Sequence, residues 1–213
     1  LPEEWETESH EASERCLRSI EKTGTRLEAK VFDATTPLTI SEGMARTFGR
    51  QVIWSWPTDS GQDGYDIPTG LYKRHYRARD HLRVVSCAVS HARLWKKCVE
   101  LDQPIVVLEH DTVFTRPFDP DVLDGWNWGA IGLNDPRGAT RKSGEFHRML
   151  HNSYRKEGPE LHKVPRVDMV GELPLPMGLA GNSAYVIKPY AAKELLDTAL
   201  EIGLWPNDAL MCS

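Results

Sequence analysis

The strongest constraint on this chain is a short apolar run, Pro104-Ile105-Val106-Val107-Leu108, that leads directly into Glu109-His110-Asp111. The run is too short to span a membrane, and its β-branched residues favour extended backbone, so it predicts a buried strand. Strands that are apolar on both faces belong mostly to parallel sheets, whose ligands bind at the carboxyl ends of the strands. Acidic side chains at that edge are suited to hold a divalent cation, which could in turn bind a diphosphate.

The rest of the sequence alternates helical patterns with short apolar strands, which indicates βαβ units. The helical spacing is clearest from Asp80, a suitable N-cap, to Leu101. The predicted helices are 9–23, 41–48, 80–101, 145–156 and 189–202, and the predicted strands are 27–32, 104–108, 128–133 and 184–187. We therefore expect a single α/β domain over residues 1–213, with an open, mostly parallel sheet flanked by helices.

The composition narrows the classes of function. The 213 residues carry a net charge of −5, which does not favour a nucleic-acid partner. No apolar stretch approaches the roughly 20 residues of a transmembrane helix, so we expect a cytoplasmic protein that contacts a membrane only peripherally. The four cysteines form no C-x-x-C pair, and we expect free thiols. Because the chain begins at Leu1 and not at Met, we expect that the sequence has been trimmed, and residues could be missing at either end.

Several segments follow one another in a distinctive order. They are Ser86-Cys87-Ala88-Val89-Ser90-His91 with Leu94-Trp95, then Glu109-His110-Asp111, Gly181-Asn182-Ser183-Ala184-Tyr185 and Pro206-Asn207-Asp208, preceded by Arg15, Arg18 and Asp33-Ala34. Together they resemble glycosyltransferase family 25, the bacterial lipooligosaccharide galactosyltransferases and related collagen galactosyltransferase domains. The resemblance is strongest over 80–115 and 178–210. It implies a GT-A-type, Rossmann-like fold, a UDP-sugar donor, a galactose-like sugar and inversion at the anomeric carbon.

The acids after strand 104–108 are the predicted metal ligands. Sugar transfer requires stabilisation of the leaving diphosphate, which a divalent cation supplies by bridging phosphate oxygens. Carboxylates suit Mg²⁺ or Mn²⁺, so Asp111 is the main predicted ligand, and Glu109 contacts either the metal or the ribose. His110 stands where the family has a middle acid, and an imidazole there would favour a softer metal. The alternative is a strand end with solvated acids.

Donor contacts are predicted for Arg15, which can fork onto a phosphate or stack on a base, and for Asp33, which can accept a hydrogen bond from uracil or ribose. Ser90 and His91 are further predicted donor contacts, and His91 is expected either to approach the diphosphate or to orient the acidic loop. Gly181 is expected where backbone approaches a ligand closely. Each has a structural alternative, such as an exposed arginine, a turn-forming aspartate or a packed helical histidine.

An inverting displacement needs a base for the acceptor hydroxyl. The resemblance makes Asp208 the first candidate, and Asp135, just after strand 128–133, is the second; either could instead be a turn or capping residue. The predicted function is a metal-dependent, inverting glycosyltransferase that moves a sugar to a hydroxyl of a glycan or glycoconjugate, as in lipopolysaccharide biosynthesis.

Two alternatives stay open. The first is a non-catalytic nucleotide-sugar or glycan-binding domain of the same fold, which His110 in the acidic triplet keeps open. The second is another metal-dependent nucleotide-diphosphate enzyme, such as a nucleotidyltransferase, which would normally show a glycine-rich phosphate loop near its first strand.

Overall fold

The computed structural model describes residues 3–125, 127–134, 148, 163, 165–179 and 182–212 of a mixed α/β structure. Two 3₁₀ turns lie at Ser60–Gln62 and Pro120–Leu123. Among the described residues, the helices are all too short or too polar to cross a lipid bilayer. The helices are α1 (Glu3–Thr23), α2 (Ile40–Phe48), α3 (His81–Leu101), α4 (Pro189–Ile202) and α5 (Asn207–Leu210); the strands are β1 (Gly64–Tyr65), β2 (Tyr72–Lys73), β3 (Ile105–Leu108), β4 (Ala130–Gly132), β5 (Val167–Val170), β6 (Leu173–Pro176) and β7 (Ala184–Ile187).

Most of the predicted helices are confirmed, and local sequence signals explain their bounds. Asp80 caps α3, because its side chain accepts a hydrogen bond of 3.0 Å from the Leu82 amide. Pro189 occupies the first position of α4, where its missing N–H is tolerated. The first helix begins at Glu3, ahead of the predicted start. The predicted helix 145–156 and the candidate base Asp135 lie outside the described residues.

The central sheet is antiparallel, so the prediction of a mostly parallel sheet is wrong for the described strands. β7 lies between β3 and β4 and pairs antiparallel with both, with Tyr185 opposite Val107 and Val186 opposite Ile131. β3 and β4 therefore point the same way without pairing with each other. All four residues of β7 are buried. A strand covered on both faces is apolar throughout whichever way its neighbours run, so its sequence does not reveal their direction.

Two further hairpins, β1–β2 and β5–β6, lie in segments where the sequence carries no clear periodicity. By contrast, the predicted strand 27–32 is irregular. Its apolar residues Val31 and Phe32 are 71% and 39% exposed, so they cover no sheet. This segment forms a wall of a cavity described below.

The core lies between α3, α4 and the central sheet. Trp95 of α3 and Tyr185 and Ile187 of β7 are completely buried. Small residues on both helices allow close packing, and the fully buried ones are Ala88, Ala92, Ala192 and Ala199. This arrangement fixes the end of β3 beside the middle of α3.

The segment 50–76 is anchored to the connection between α4 and α5. The Ser55 amide donates to the Leu204 carbonyl at 3.1 Å, and its hydroxyl accepts from Trp205 Nε1 at 2.8 Å. Gly203, at φ +91°, lies so close that a Cβ there would be 2.5 Å from Ser55 Oγ. Only glycine fits both the backbone angle and the space. These contacts carry the following residues, including Tyr76, to the candidate site.

A buried ion pair fixes this segment further. Lys73 Nζ lies 2.7 Å from Asp66 Oδ1, and the two residues are 8% and 6% exposed. Lys73 also donates to the Ser55 carbonyl and lies over the Trp205 ring. Burial acts to raise the pKa of Asp66, but the hydrogen bonds from Lys73 and Thr69 outweigh it and hold that pKa below its ordinary value.

Candidate active site

A main cavity of about 1040 Å³ lies between α1, the irregular segment 29–37, α3 and the end of β3. It brings together five of the residues that the sequence singled out, and Phe32 and Ala34 line it while Asp33 is exposed beside them. The five are Arg15, Ser90, His91, Glu109 and Asp111. A cavity of this size is large enough to hold a nucleotide sugar.

A second cavity of about 490 Å³ adjoins the first. Its lining includes Tyr76 and Asp208, and it shares Cys87, Glu109 and Arg83 with the main cavity. The shared residues form the boundary between the two spaces. A ligand in one cavity therefore lies next to a ligand in the other at Cys87 and Glu109.

A chain of hydrogen bonds runs from the core to this boundary. Trp95 Nε1 donates to the Tyr185 hydroxyl at 2.9 Å, and that hydroxyl lies 2.8 Å from His91 Nδ1. His91 Nε2 lies 3.2 Å from Glu109 Oε1. Because the indole is only a donor and the carboxylate only an acceptor, the bonds are satisfied when Tyr185 donates to Nδ1 and His91 donates from Nε2. The chain fixes the orientation of Glu109.

Three potential metal ligands converge at the same boundary. Ligand atoms of Cys87, His91 and Glu109 all lie within 4.8 Å of one another. Cys87 is the exposed one of the four free cysteines, and its thiol donates to Asn207 Oδ1 at 3.6 Å. The surrounding protein atoms, followed by the charges of Glu109 and Asp208, raise the pKa of Cys87 to about 12.

Asp111 faces the α1 side of the main cavity. It is exposed, and after burial its charge is the second influence that raises the pKa of Cys16 in α1. A turn fixes the backbone after β3, because the Thr112 amide donates to the Glu109 carbonyl at 3.0 Å. The Thr112 hydroxyl and the Glu109 amide both donate to the Ser183 carbonyl, which ties the acidic segment to β7.

Asp208 lies in the second cavity at the start of α5. The Tyr76 hydroxyl is 2.9 Å from each of its carboxylate oxygens, and the Ala209 amide donates at 2.9 Å. Burial raises the pKa of Asp208 above its ordinary value, although these hydrogen bonds oppose the shift. Tyr76 in turn stacks on Trp56, with ring centroids 6.0 Å apart. The segment 50–76 therefore holds the donor that orients this carboxylate.

Ser90 has a structural role. Its hydroxyl donates to the Ser86 carbonyl at 2.8 Å and accepts from the Thr35 amide at 2.8 Å. Arg93 donates to the Asp33 carbonyl at 2.8 Å and lies over the Phe32 ring. Together they attach the irregular segment 29–37 to α3 and so shape the main cavity. Ser90 therefore lines the cavity as an anchor of its wall.

The sequence profile of glycosyltransferase family 25 (LPS biosynthesis protein) matches residues 9–128, more than half of the 213-residue chain. The chain belongs to glycosyltransferase family 25. The predicted resemblance is confirmed, and membership implies a glycosyltransferase of lipopolysaccharide biosynthesis that acts on a sugar donor and an acceptor. No curated protein and no solved structure matches the chain significantly.

The family 25 match covers the main cavity better than the second one. It includes most of α1, all of α3 and the acids after β3, and it ends before β7 and α5. The family match therefore does not reach Asp208, and its place in the second cavity comes from the geometry. The predicted ligand contact Gly181 lies outside the described residues.

Three residues of the site were not predicted from the sequence. Cys87 lies four positions before His91, so the two share one helix face, and that spacing was a usable signal. Tyr76 lies in a segment without clear periodicity, and its meeting with Asp208 spans 132 residues. Tyr185 ends the family-like segment 181–185, but its burial in β7 and the bond between its hydroxyl and His91 were not predicted.

Proposed function

We propose that this family 25 protein is an inverting, metal-dependent glycosyltransferase. It transfers a galactose-like sugar from a UDP-sugar in the main cavity to a hydroxyl of a glycan or glycoconjugate in the second cavity. The observation that carries the proposal is the shared boundary at Glu109 and Cys87, with the carboxylate of Asp111 in the main cavity on one side and the hydrogen-bonded carboxylate of Asp208 on the other.

The residues of the main cavity fit a hard divalent cation such as Mn²⁺ or Mg²⁺. Asp111 offers an exposed carboxylate. Glu109 accepts the hydrogen bond from His91 on Oε1, and its other oxygen, Oε2, takes no part in that bond. Oxygen donors of this kind suit both ions. Bound there, the ion would neutralise the charge that develops on the departing diphosphate.

The other residues of the main cavity bind the donor. Arg15 projects from α1 into the cavity, where its guanidinium can contact a phosphate or stack on uracil. Asp33 lies at the rim and can accept a hydrogen bond from ribose or uracil. His91 holds Glu109 in place through its bond to Oε1.

Asp208 is the proposed base. The acceptor hydroxyl attacks the anomeric carbon from the face opposite the diphosphate, the new C–O bond forms as the bond to the diphosphate breaks, and the diphosphate leaves with the electron pair. The hydroxyl proton passes to Asp208. A carboxylate whose pKa is raised by burial is a stronger base than an exposed one once it is ionised.

The test combines binding with turnover. Thermal unfolding is measured with a panel of UDP-sugars, with and without Mn²⁺, because a ligand at a hundredfold excess over Kd stabilises the native state by about 2.7 kcal/mol. UDP release is then measured for the wild type, Asp111→Asn and Asp208→Asn. Asp124→Asn is the control, because Asp124 is exposed and lines neither cavity.

The proposal expects one UDP-sugar to stabilise the protein only with Mn²⁺. Asp111→Asn should lose that stabilisation, and Asp208→Asn should keep it while losing turnover. Metal-dependent binding without turnover in the wild type would favour the non-catalytic binding domain instead. Release of diphosphate from nucleoside triphosphates would favour a nucleotidyltransferase.

A further inference from the structure

Cys87, His91 and Glu109 offer a thiol, an imidazole and a carboxylate at one point on the boundary between the cavities. We propose that these three side chains form a binding site for a zinc ion, separate from the donor cation at Asp111. Zinc at this site would inhibit transfer, and that consequence rests on the proposed function, whereas zinc binding itself does not.

The backbone already arranges the ligands. Cys87 and His91 are four residues apart in α3 and lie on one helix face. Zinc bonds to nitrogen and oxygen are about 2.1 Å long, so two such ligands in a tetrahedral site lie roughly 3.4 Å apart. His91 Nε2 and Glu109 Oε1 are 3.2 Å apart. The thiol is within 4.8 Å of both, so a shift of roughly 1 Å completes the set.

The donor set selects a borderline-soft metal. Thiolate and imidazole favour zinc and its neighbours in the transition series, whereas Mg²⁺ and Mn²⁺ prefer oxygen ligands. Three protein ligands leave the fourth tetrahedral position to water or substrate. Here that position is reachable, because Cys87 and Glu109 line both cavities.

The surrounding residues supply negative charge and a hydrogen-bond partner for the histidine ligand. The charges of Glu109 and Asp208 both act on the Cys87 thiol. His91 is held from behind by Tyr185, whose hydroxyl can accept from Nδ1–H when the metal takes Nε2. Zinc binds the thiolate and the Nε2 of the neutral imidazole, so the ring proton moves from Nε2 to Nδ1 and the thiol proton is released as the ion binds.

Occupation by zinc has a definite consequence for catalysis. Glu109 would be drawn to the zinc and away from the donor cation. The ion would also stand between donor and acceptor at the shared boundary. Zinc should therefore reduce transfer at saturating Mn²⁺. This inhibition depends on the Cys87 thiol, whereas simple exchange of Zn²⁺ for Mn²⁺ at Asp111 does not.

Binding is tested without any sugar nucleotide. Co²⁺, a spectroscopic substitute for Zn²⁺, is titrated into the wild-type protein, Cys87→Ser and His110→Asn. The wild type should show a thiolate-to-cobalt charge-transfer band that Zn²⁺ abolishes. Cys87→Ser should lose the band and bind Zn²⁺ at least about tenfold more weakly, since replacing even a hydrogen-bond partner of a metal ligand costs about 10–100-fold in affinity. His110→Asn, which alters an exposed histidine beside Glu109, should keep both.

A second measurement does not depend on any variant. Cys87 is the exposed cysteine and the other three are buried, so its thiol should be the first of the four to react with a thiol reagent, and slowly, because its raised pKa keeps it protonated. Zn²⁺ should protect that thiol, and Mn²⁺ should not. Absence of both the cobalt band and the zinc protection would overturn the proposal. So would a band that survives in Cys87→Ser or disappears in His110→Asn.

Inhibition is then read from UDP release at saturating Mn²⁺. Zn²⁺ should inhibit the wild type at concentrations at least about tenfold lower than those needed for a Cys87→Ser enzyme. If the protein shows the cobalt band but no turnover at all, the zinc site stands and the proposed function fails. If turnover is normal and zinc inhibits both proteins equally, the inhibitory role is refuted.

Discussion

Replacing Gly178 with alanine tests whether Asp208 is held in its position by close backbone packing. Gly178 follows β6 and has a φ of +56°, and its Cα faces the Asp208 carbonyl. A Cβ at this position would lie 1.7 Å from the backbone carbonyl oxygen of Asp208 and 2.5 Å from its carbonyl carbon. Ordinary contact begins at 3.4 Å, so one of the two backbones must move by more than about 1 Å.

The magnitude has two parts. A non-glycine residue in the left-handed region costs about 1–2 kcal/mol. Overpacking against backbone costs typically another 1–3 kcal/mol, so the free energy of unfolding should fall by about 2–5 kcal/mol. Activity should fall about 10²-fold as well, because a displacement of 1 Å in a reacting group has an effect of that size.

Gly171→Ala is the matched control. Gly171 has a similar φ of +63°, but a Cβ there meets nothing within 4 Å. It should lose only the conformational part, about 1–2 kcal/mol, and keep its activity. Urea unfolding gives the stabilities, and UDP release well below both melting temperatures gives the activities. If Gly178→Ala is no less stable and no less active than Gly171→Ala, the packing argument is refuted.

Three further predictions concern Asp208 and the segment 50–76, which carries its hydrogen-bond donor Tyr76. Tyr76→Phe removes a hydrogen bond that lowers the pKa of Asp208, so the acid limb of the pH profile of kcat/KM should move to higher pH; Tyr65→Phe, at an exposed tyrosine, should leave it in place. Asp208→Asn should abolish transfer yet raise Tm at neutral pH. Because burial raises the pKa of this carboxyl in the folded state, its contribution to stability is present at acid pH and is lost as pH rises through that pKa, so the gain in Tm should disappear in acid. Lys73→Met leaves the Asp66 carboxylate buried without its cation and should lower the free energy of unfolding by about 3–5 kcal/mol in urea titrations; a loss below about 1 kcal/mol would contradict the assignment of a buried pair.

Local sequence signals are enough to predict the elements that carry the main cavity. The helical periodicity of α3, its capping Asp80 and the apolar run of β3 predict a helix and a strand that bring His91 and Glu109 to one site. The same reasoning failed on strand direction. A completely buried strand such as β7 lacks the polar alternation that would have shown which way its neighbours run.

The second cavity depends on contacts that no local pattern encodes. Ser55 meets Trp205 across 150 residues, and Tyr76 meets Asp208 across 132. Such pairings follow from the packing of whole elements, because each residue alone has the signature of an ordinary turn or loop. The family resemblance pointed to Asp208, but it gave no account of the tyrosine that orients it.

The long separation between Ser55 and Trp205 also bears on the order in which the protein folds. α3 and β3 are neighbours in sequence and can associate early, whereas contacts across 150 residues close a large loop and form late. A chain emerging from the ribosome would have formed α1, α3 and β3, which line the main cavity, well before Leu204 and Trp205 reach Ser55. We expect refolding to restore metal-dependent UDP binding ahead of turnover, with the interval set by the docking of segment 50–76.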